Sequence, residues 1–108
     1  MKESERLQQV KNSYLQSKKQ VTGVLNLVND AISDLDNAIN EDANAGNVDG
    51  NMFDNSYLTN LHEDEVNMRN SINDVIANID SKINSLSDQI ATAIDEEAAA
   101  EAAAMLGD

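Results

Sequence analysis

The stretch that decides the fold is residues 71–86, SINDVIANIDSKINSL, in which large aliphatic side chains recur at steps of three and four. Such steps place side chains on one stripe of an α-helix. The spacing continues in both directions, with one gap at Glu65. The complete row is Leu58, Leu61, Met68, Ile72, Val75, Ile79, Ile83, Leu86, Ile90 and Ile94. We therefore predict a long helix over about residues 56–98.

A second row of the same kind occupies the N-terminal part of the chain. It consists of Leu7, Val10, Tyr14, Val21, Val24, Val28, Ala31, Leu35 and Ala38. We predict a first helix over about 4–42, with Ser4 near its start as a capping residue. A turn over 44–52, which contains Gly46 and Gly50, would then join the two helices. No proline interrupts either row. The predicted fold is all-α: a single domain spanning 1–108, built as an antiparallel two-helix hairpin of the coiled-coil type.

Both apolar stripes are wider than one facing helix would cover, because further apolar residues lie beside each of the two rows given above. We call the column on which they lie the third row: Leu25, Ile32 and Ile39 in the first helix, and Ile76, Ile83 and Ile90 in the second, where Ile83 and Ile90 also belong to the row given above. We therefore expect each helix to touch more than one neighbour, so that the hairpin assembles into a larger helical bundle. Met52 and Phe53 follow the turn and either cover the hairpin end or contact a partner. The residues assigned to partner binding are Val24, Leu25, Ile32, Ile39, Met52, Phe53, Ile76, Ile83 and Ile90.

Two local features allow alternatives. Gly23 lies inside the first helical pattern, where it would mark either a close helix contact or a bend. From Asp95 onward the chain becomes rich in alanine and glutamate, with no large apolar residue to anchor it until Met105. The tail over 99–108 would either extend the second helix as a frayed end or be disordered, and we predict the disordered tail.

Charge is distributed unevenly along the chain. Residues 1–20 have a balance of +3, whereas the other 88 residues have a balance of −16, and together they give the net charge of −13. Such an acidic chain repels phosphates, so we expect no binding to nucleic acid. The acidic surface either keeps the protein solvated or meets a basic partner.

Segments for targeting, membrane insertion or disulfide formation are not evident. The chain has no cysteine. Its N-terminus lacks the apolar core of a secretory signal peptide, and its apolar runs are far shorter than the ~20 residues that span a bilayer. We predict a cytoplasmic protein without membrane contact, which could leave the cell only by a route that needs no cleavable signal.

Residue patterns for catalysis or metal binding are also missing. His62 is the only histidine, whereas a zinc site needs three or four convergent ligands. The segment Asp49-Gly50-Asn51 resembles part of a calcium loop, but the flanking ligand positions are occupied by Ala45 and Ser56. We predict no enzymatic activity, no cofactor and no metal.

The segment 71–86, the long first helix and the aromatic residue after the turn at Gly50-Asn51-Met52-Phe53 together carry a family resemblance. The chain resembles the small helical proteins encoded beside LXG-domain toxins of Gram-positive bacteria, in particular the YwqH-like family of the WXG100-like superfamily. The resemblance covers nearly the whole chain. It implies a hairpin that binds the N-terminal helical domain of an LXG toxin, alone or with a second small helical protein. Such an adaptor would target the toxin to the type VIIb secretion system and could be secreted with it.

Two departures from the superfamily pattern bear on export. The Trp-x-Gly turn motif is missing, and Gly50 and Phe53 are its nearest substitutes. The export motif, an aromatic residue followed four positions later by an acid, is missing as well. The residues four after Tyr14, Phe53 and Tyr57 are Lys18, Tyr57 and Leu61. Either the chain uses another signal or a partner supplies one.

Two functions remain open at the level of sequence. The first is a targeting chaperone or adaptor for an LXG toxin, acting by helix–helix association. The alternative is a self-associating structural coiled coil, such as a homodimeric four-helix bundle. Both would bury the same apolar rows, so the rows alone do not distinguish them.

Overall fold

The computed structural model describes the backbone of residues 1–49 and 56–107, and the side chains of residues 1–41 and 56–107. Helix α1 spans Glu3–Asp49 and helix α2 spans Ser56–Leu106. The described residues contain no β-strand. The predicted fold class is confirmed: two long helices pack against each other as an antiparallel hairpin. Assembly into a larger bundle stays a prediction.

The helix bounds differ from the predicted ones around the turn. Helix α2 begins at Ser56, as predicted, but α1 continues through 44–49, which were predicted to be part of the turn. No proline stops the helix there, and a glycine such as Gly46 lowers helix stability by only about 1 kcal/mol. The rest of the predicted turn, with Met52 and Phe53, lies outside the described residues.

The C-terminal segment is helical, so the prediction of a disordered tail is wrong. Helix α2 continues to Leu106. Alanine and glutamate are strong helix formers, and extending an existing helix avoids the unfavourable nucleation step. An ion pair between Lys2 Nζ and Glu101 Oε1, 3.1 Å apart, also connects this segment with the start of α1.

The hairpin divides into two compact units. Met1–Gln20 and Ile76–Asp108 form the terminal unit, and Val21–Val75 form the loop-side unit. In the terminal unit Leu7, Leu86 and Ala93 are buried, with Val10, Tyr14 and Ile90 packed against them. In the described part of the loop-side unit, Ile32 alone reaches that degree of burial. The apolar core is therefore thin, most of all in the loop-side unit.

In both units the helices meet along positions that alternate strictly between steps of three and four. All of these positions are buried or half-buried. Strict alternation is the heptad pattern of a left-handed coiled coil. We call these positions the seam. On α1 they are Ser4, Leu7, Lys11, Tyr14, Lys18, Val21, Leu25, Val28, Ile32, Leu35 and Ile39, and on α2 they are Leu58, His62, Glu65, Arg69, Ile72, Ile76, Ile79, Ile83, Leu86, Ile90, Ala93 and Glu97.

A carboxylate of α2 caps the start of α1. The backbone N–H of Ser4 donates to Glu97 Oε1 at 3.0 Å, and the Ser4 hydroxyl donates to Glu97 Oε2 at 2.8 Å. The first N–H groups of a helix have no partner within it, and negative charge is favourable at that end. Ser4 therefore lies inside the first turn of α1, with Glu97 as its partner, instead of being the capping residue predicted from sequence.

Ion pairs fix the direction of the helices in the terminal unit. Lys2 pairs with Glu101, and Lys18 Nζ lies 2.7 Å from Asp80 Oδ1. The residue number on α2 falls from 101 to 80 as the residue number on α1 rises from 2 to 18, as expected for antiparallel helices. Exposed pairs of this kind contribute little stability, so their role is mainly orientation. Over the described residues, neither helix is long and apolar enough to cross a membrane.

Gly23 offers a direct test of α1 stability. A Cβ atom added there would have nothing within 4 Å, so of the two alternatives for this glycine the close helix contact is not found. We expect Gly23→Ala to raise the free energy of unfolding by about 0.5–1 kcal/mol, because alanine restricts the unfolded chain and favours the helix. Urea denaturation followed by circular dichroism measures this change. The exposed Ala77→Gly should shift stability by a similar amount in the opposite direction. A lower stability of Gly23→Ala would contradict the open surroundings.

Glu97 offers a pH-dependent test of the interhelical cap. The backbone N–H of Ser4, followed by its hydroxyl, holds the pKa of Glu97 below its ordinary value of 4.5. A carboxyl with a lowered folded-state pKa stabilises the fold above 4.5, and this contribution disappears as pH falls through the folded-state pKa. Glu97→Gln should therefore lower the thermal midpoint at neutral pH.

In acid, where the parent carboxyl is also neutral, the difference between the parent and Glu97→Gln should shrink. Circular dichroism melts at the two pH values measure it. The control is Glu96→Gln, which removes the same charge from an exposed neighbour. A difference that persists unchanged in acid would show that the charge of Glu97 is not responsible.

Candidate partner-binding surface

The two helices contribute unequally to the seam of the loop-side unit. The α1 seam residues there are all aliphatic, from Val21 to Ile39. The α2 seam residues include His62, Glu65 and Arg69, all half-buried. In this unit α2 therefore presents a largely polar face to an aliphatic one.

The buried polar atoms of this face are poorly satisfied. His62 Nε2 lies 2.7 Å from Asp36 Oδ1, close enough for an ion pair if the imidazole is protonated. The pair nevertheless lacks hydrogen-bond geometry, and no other described residue hydrogen-bonds to His62 Nε2. The buried Glu65 Oε2 has neither a hydrogen-bond partner nor an ion-pair partner among the described residues. A buried polar atom without any partner typically costs about 1–3 kcal/mol.

The apolar residues of α2 in this unit lie outside the seam. Leu61, Met68 and Val75 each precede a seam residue by one position, and their exposed fractions are 38%, 53% and 46%. The equivalent positions of α1 are Val24, which is 49% exposed, Ala31, which is exposed, and Ala38, which is half-buried. We call these six residues the lateral strip: Val24, Ala31, Ala38, Leu61, Met68 and Val75.

The six residues border the same side of the loop-side unit. In an antiparallel pair, a position that precedes the seam on one helix lies on the same side as the equivalent position on the other. The residue numbers of two opposite residues then add up to a nearly constant value. The sum is 99 for Val24 with Val75, for Ala31 with Met68 and for Ala38 with Leu61, against 98 for the contacting pair Asp36 and His62. The strip is roughly 20 Å long, at about 1.5 Å per residue of α1.

The opposite side of the same unit is polar. The positions that follow the seam there are Thr22, Asn29, Asp36, Thr59, Val66 and Asn73, of which Val66 is the one apolar residue and is half-buried. Single exposed apolar residues are common on protein surfaces, but a contiguous patch usually marks an interaction site. The concentration of apolar side chains on one side makes the lateral strip the candidate binding surface.

The residues assigned to partner binding from sequence fall mostly in the seam. Val24 is exposed and belongs to the lateral strip, whereas Ile32 is only 7% exposed. Leu25, Ile39, Ile76, Ile83 and Ile90 are half-buried seam residues. The third row therefore takes part in the packing of the hairpin, and its assignment to partner binding stays a prediction. Met52 and Phe53 lie outside the described residues.

The other five strip residues belong to the two apolar rows from which the helices are predicted. The sequence analysis assigns the third row, and not these residues, to partner binding. The spacing on α1 does not separate the two columns. Val21, Val24, Val28, Ala31, Leu35 and Ala38 alternate by three and four as strictly as Val21, Leu25, Val28, Ile32, Leu35 and Ile39 do. Burial in the hairpin is what identifies the second set as the seam.

The described residues show no arrangement for metal binding. They contain no group of three or more His, Cys, Asp or Glu residues that could hold a metal ion. An open depression of about 380 Å³ lies beside His62, Glu63, Val66 and Asn67. These four residues belong to one helix and include no hydroxyl or thiol nucleophile. The predictions that the chain is no enzyme and binds no cofactor stay predictions.

Comparison with known proteins gives no match to a family model, a curated protein or a solved structure. The resemblance to the YwqH-like family therefore depends on the sequence features alone. The surface geometry described above stands independently of that resemblance.

Replacing Glu65 tests the polar seam. We expect Glu65→Leu to raise the free energy of unfolding by about 1 kcal/mol, because it removes a buried, unpartnered carboxylate oxygen from an aliphatic surrounding. Urea denaturation of the isolated protein measures the change. Glu63→Leu is the matched control, since Glu63 is exposed and should give little change. A clear loss of stability in Glu65→Leu would instead show that the carboxylate makes a stabilising contact.

Proposed function

We propose that this protein is an adaptor that binds a helical partner along the lateral strip. The exposed strip is the observation that supports the proposal, since four of its six residues are large or branched apolar side chains at least 38% exposed. A third helix laid along two parallel rows of apolar side chains is the helix-in-groove mode of recognition.

Covering the lateral strip with a partner would be energetically favourable, because the hairpin buries little apolar surface of its own. If a partner covered a few hundred Å² of apolar surface, burial at about 25 cal/mol per Å² would favour association by several kcal/mol before entropy costs. The loop-side unit would gain most, because Ile32 is its one strongly buried residue among those described. Partner binding would supply the apolar contacts that the seam of this unit lacks.

We propose the N-terminal helical domain of an LXG toxin as the partner, with delivery to the type VIIb secretion system as the biological role. The sequence resemblance to the YwqH-like family supports this identity. The structure bears on the mode of binding only. A second small helical protein could share the complex, and export of the adaptor with its toxin would explain the absence of an aromatic-x-x-x-acid motif.

Lysine substitutions in the lateral strip test the proposal. The parent protein, co-expressed with the N-terminal domain of the adjacently encoded toxin, should co-elute with it in size-exclusion chromatography. Met68→Lys and Val75→Lys should weaken binding at least tenfold, because each places a charge in the apolar interface. Helix content should be retained, since both residues are about half exposed.

Asn67→Lys and Asn70→Lys are the matched controls, because they add the same charge at exposed positions outside the strip. Ile83→Lys, in the seam, should instead lower helix content. Separate elution of parent and toxin domain, together with normal toxin export in a strain lacking this protein, would refute the adaptor function. A dimer of the protein alone that Met68→Lys dissociates would favour the homodimeric bundle.

A further inference from the structure

We infer that the lateral strip accepts an amphipathic helix of about four turns whose apolar face is bordered by lysine or arginine. This inference rests on the proposed function and specifies the chemistry of its partner. It depends on the margins of the strip, on the charge balance of the loop-side unit and on the shape of the strip itself.

One aspartate borders the strip on each helix, whereas the equivalent margin positions Leu27 and Ser71 are uncharged. On a helix, residues three or four apart are surface neighbours. Asp34 lies three residues after Ala31 and four before Ala38, and Asp64 lies three after Leu61 and four before Met68. Both aspartates are exposed. Carboxylates therefore border the apolar strip on α1 and on α2.

These carboxylates are not paired with a base in the part of the chain that the structure describes. Neither Asp34 nor Asp64 forms an ion pair with another described residue. Residues 21–75 contain eleven acids and a single base, Arg69, a balance of −10. Arg69 is half-buried in the seam and forms no ion pair with another described residue. A basic partner would find unpaired carboxylates on both sides of an apolar surface.

The terminal unit shows how the same chain treats acidic helix faces elsewhere. There the acids of α2 meet bases of α1, in the pairs Lys2–Glu101 and Lys18–Asp80. In the loop-side unit, residues 21–49 contain six acids and no base, so α1 has no cation to offer the acids of α2 there. A basic partner would supply that charge.

A second copy of the chain is a poor source of that charge. Its own strip is bordered by the same two aspartates, and its loop-side unit adds another −10. Of its four N-terminal lysines, Lys2 and Lys18 are already paired with α2 and Lys11 lies in the seam, which leaves Lys19 as the exposed lysine of this segment without an ion pair among the described residues. Like charges placed opposite each other disfavour association, although salt weakens the effect beyond a Debye length of about 8 Å.

The shape of the strip favours a helix with large side chains. Ala31 and Ala38 on α1 lie opposite Met68 and Leu61 on α2, so the α1 side is low and the α2 side is high. Leucine-sized residues of a partner helix would fit over the two alanines. Because the strip is roughly 20 Å long, it accommodates about 14 helical residues.

Synthetic helical peptides of about 14 residues test the inference on the full-length protein. One peptide has a leucine face bordered by lysines, a second has the same face bordered by glutamates, and a third is a scrambled version of the lysine peptide. By fluorescence anisotropy, the lysine peptide should bind at least tenfold more tightly than the other two. Its affinity should fall with added salt and with Met68→Lys.

Charge reversal gives the sharper comparison. The double variant Asp34→Lys/Asp64→Lys should reverse the preference, binding the glutamate peptide more tightly than the lysine peptide. Asp30→Lys/Glu63→Lys is the matched control, because it makes the same change in charge at exposed positions away from the strip margins. The control should keep the preference for lysine.

The outcomes separate this inference from the proposed function. Equal binding of lysine and glutamate peptides, or an unchanged preference after margin reversal, would overturn the inference even if the toxin domain co-elutes and Met68→Lys releases it. Binding of the lysine peptide without binding of the toxin domain would keep the inference and refute the toxin identity. Peptide binding that Met68→Lys leaves unchanged would place the surface elsewhere.

Discussion

The whole structure depends on the strictly heptad seam between α1 and α2. Two helices alone can enclose very little, and among the described residues only Leu7, Ile32, Leu86 and Ala93 are buried. Many apolar side chains that do not fit into this narrow seam are therefore left on the surface, such as Val24, Met68 and Val75. The lateral strip follows directly from this limit, because both helices have more apolar columns than one seam can cover.

The two units use the seam in different ways. In the terminal unit, apolar packing around Leu7 and Leu86 is combined with the interhelical cap from Glu97 to Ser4 and with opposite charges on the two helices. In the loop-side unit, polar residues of α2 occupy the seam while apolar ones are exposed. This is the reverse of the usual arrangement, and in natural proteins such departures are concentrated at functional sites. This difference supports the proposal that a partner binds to the unit that packs least well on its own.

Sequence periodicity predicted the fold class and the start of α2 correctly, because steps of three and four and the absence of proline are strong signals for long helices. It was less reliable at the helix ends. Gly46 was read as part of a turn although α1 continues to Asp49, and the alanine-rich tail was read as disordered although it continues α2 to Leu106. In both places a helix already formed needs little to continue, so local composition underestimated its length.

The sequence by itself determined that this protein is two long helices, that each has more than one apolar column and that the loop-side half is acidic. Only the tertiary structure decided which column packs inside. Neighbouring columns, such as Val24 and Leu25, differ by one residue, which is a rotation of about 100° around the helix axis. Composition favours both columns almost equally. Both columns also alternate strictly by three and four, so periodicity does not choose between them. The choice is made when the two helices meet, because each helix can turn only one of these columns toward the other, and that rotation covers Leu25 and Ile32 while it leaves Val24 and Ala31 exposed.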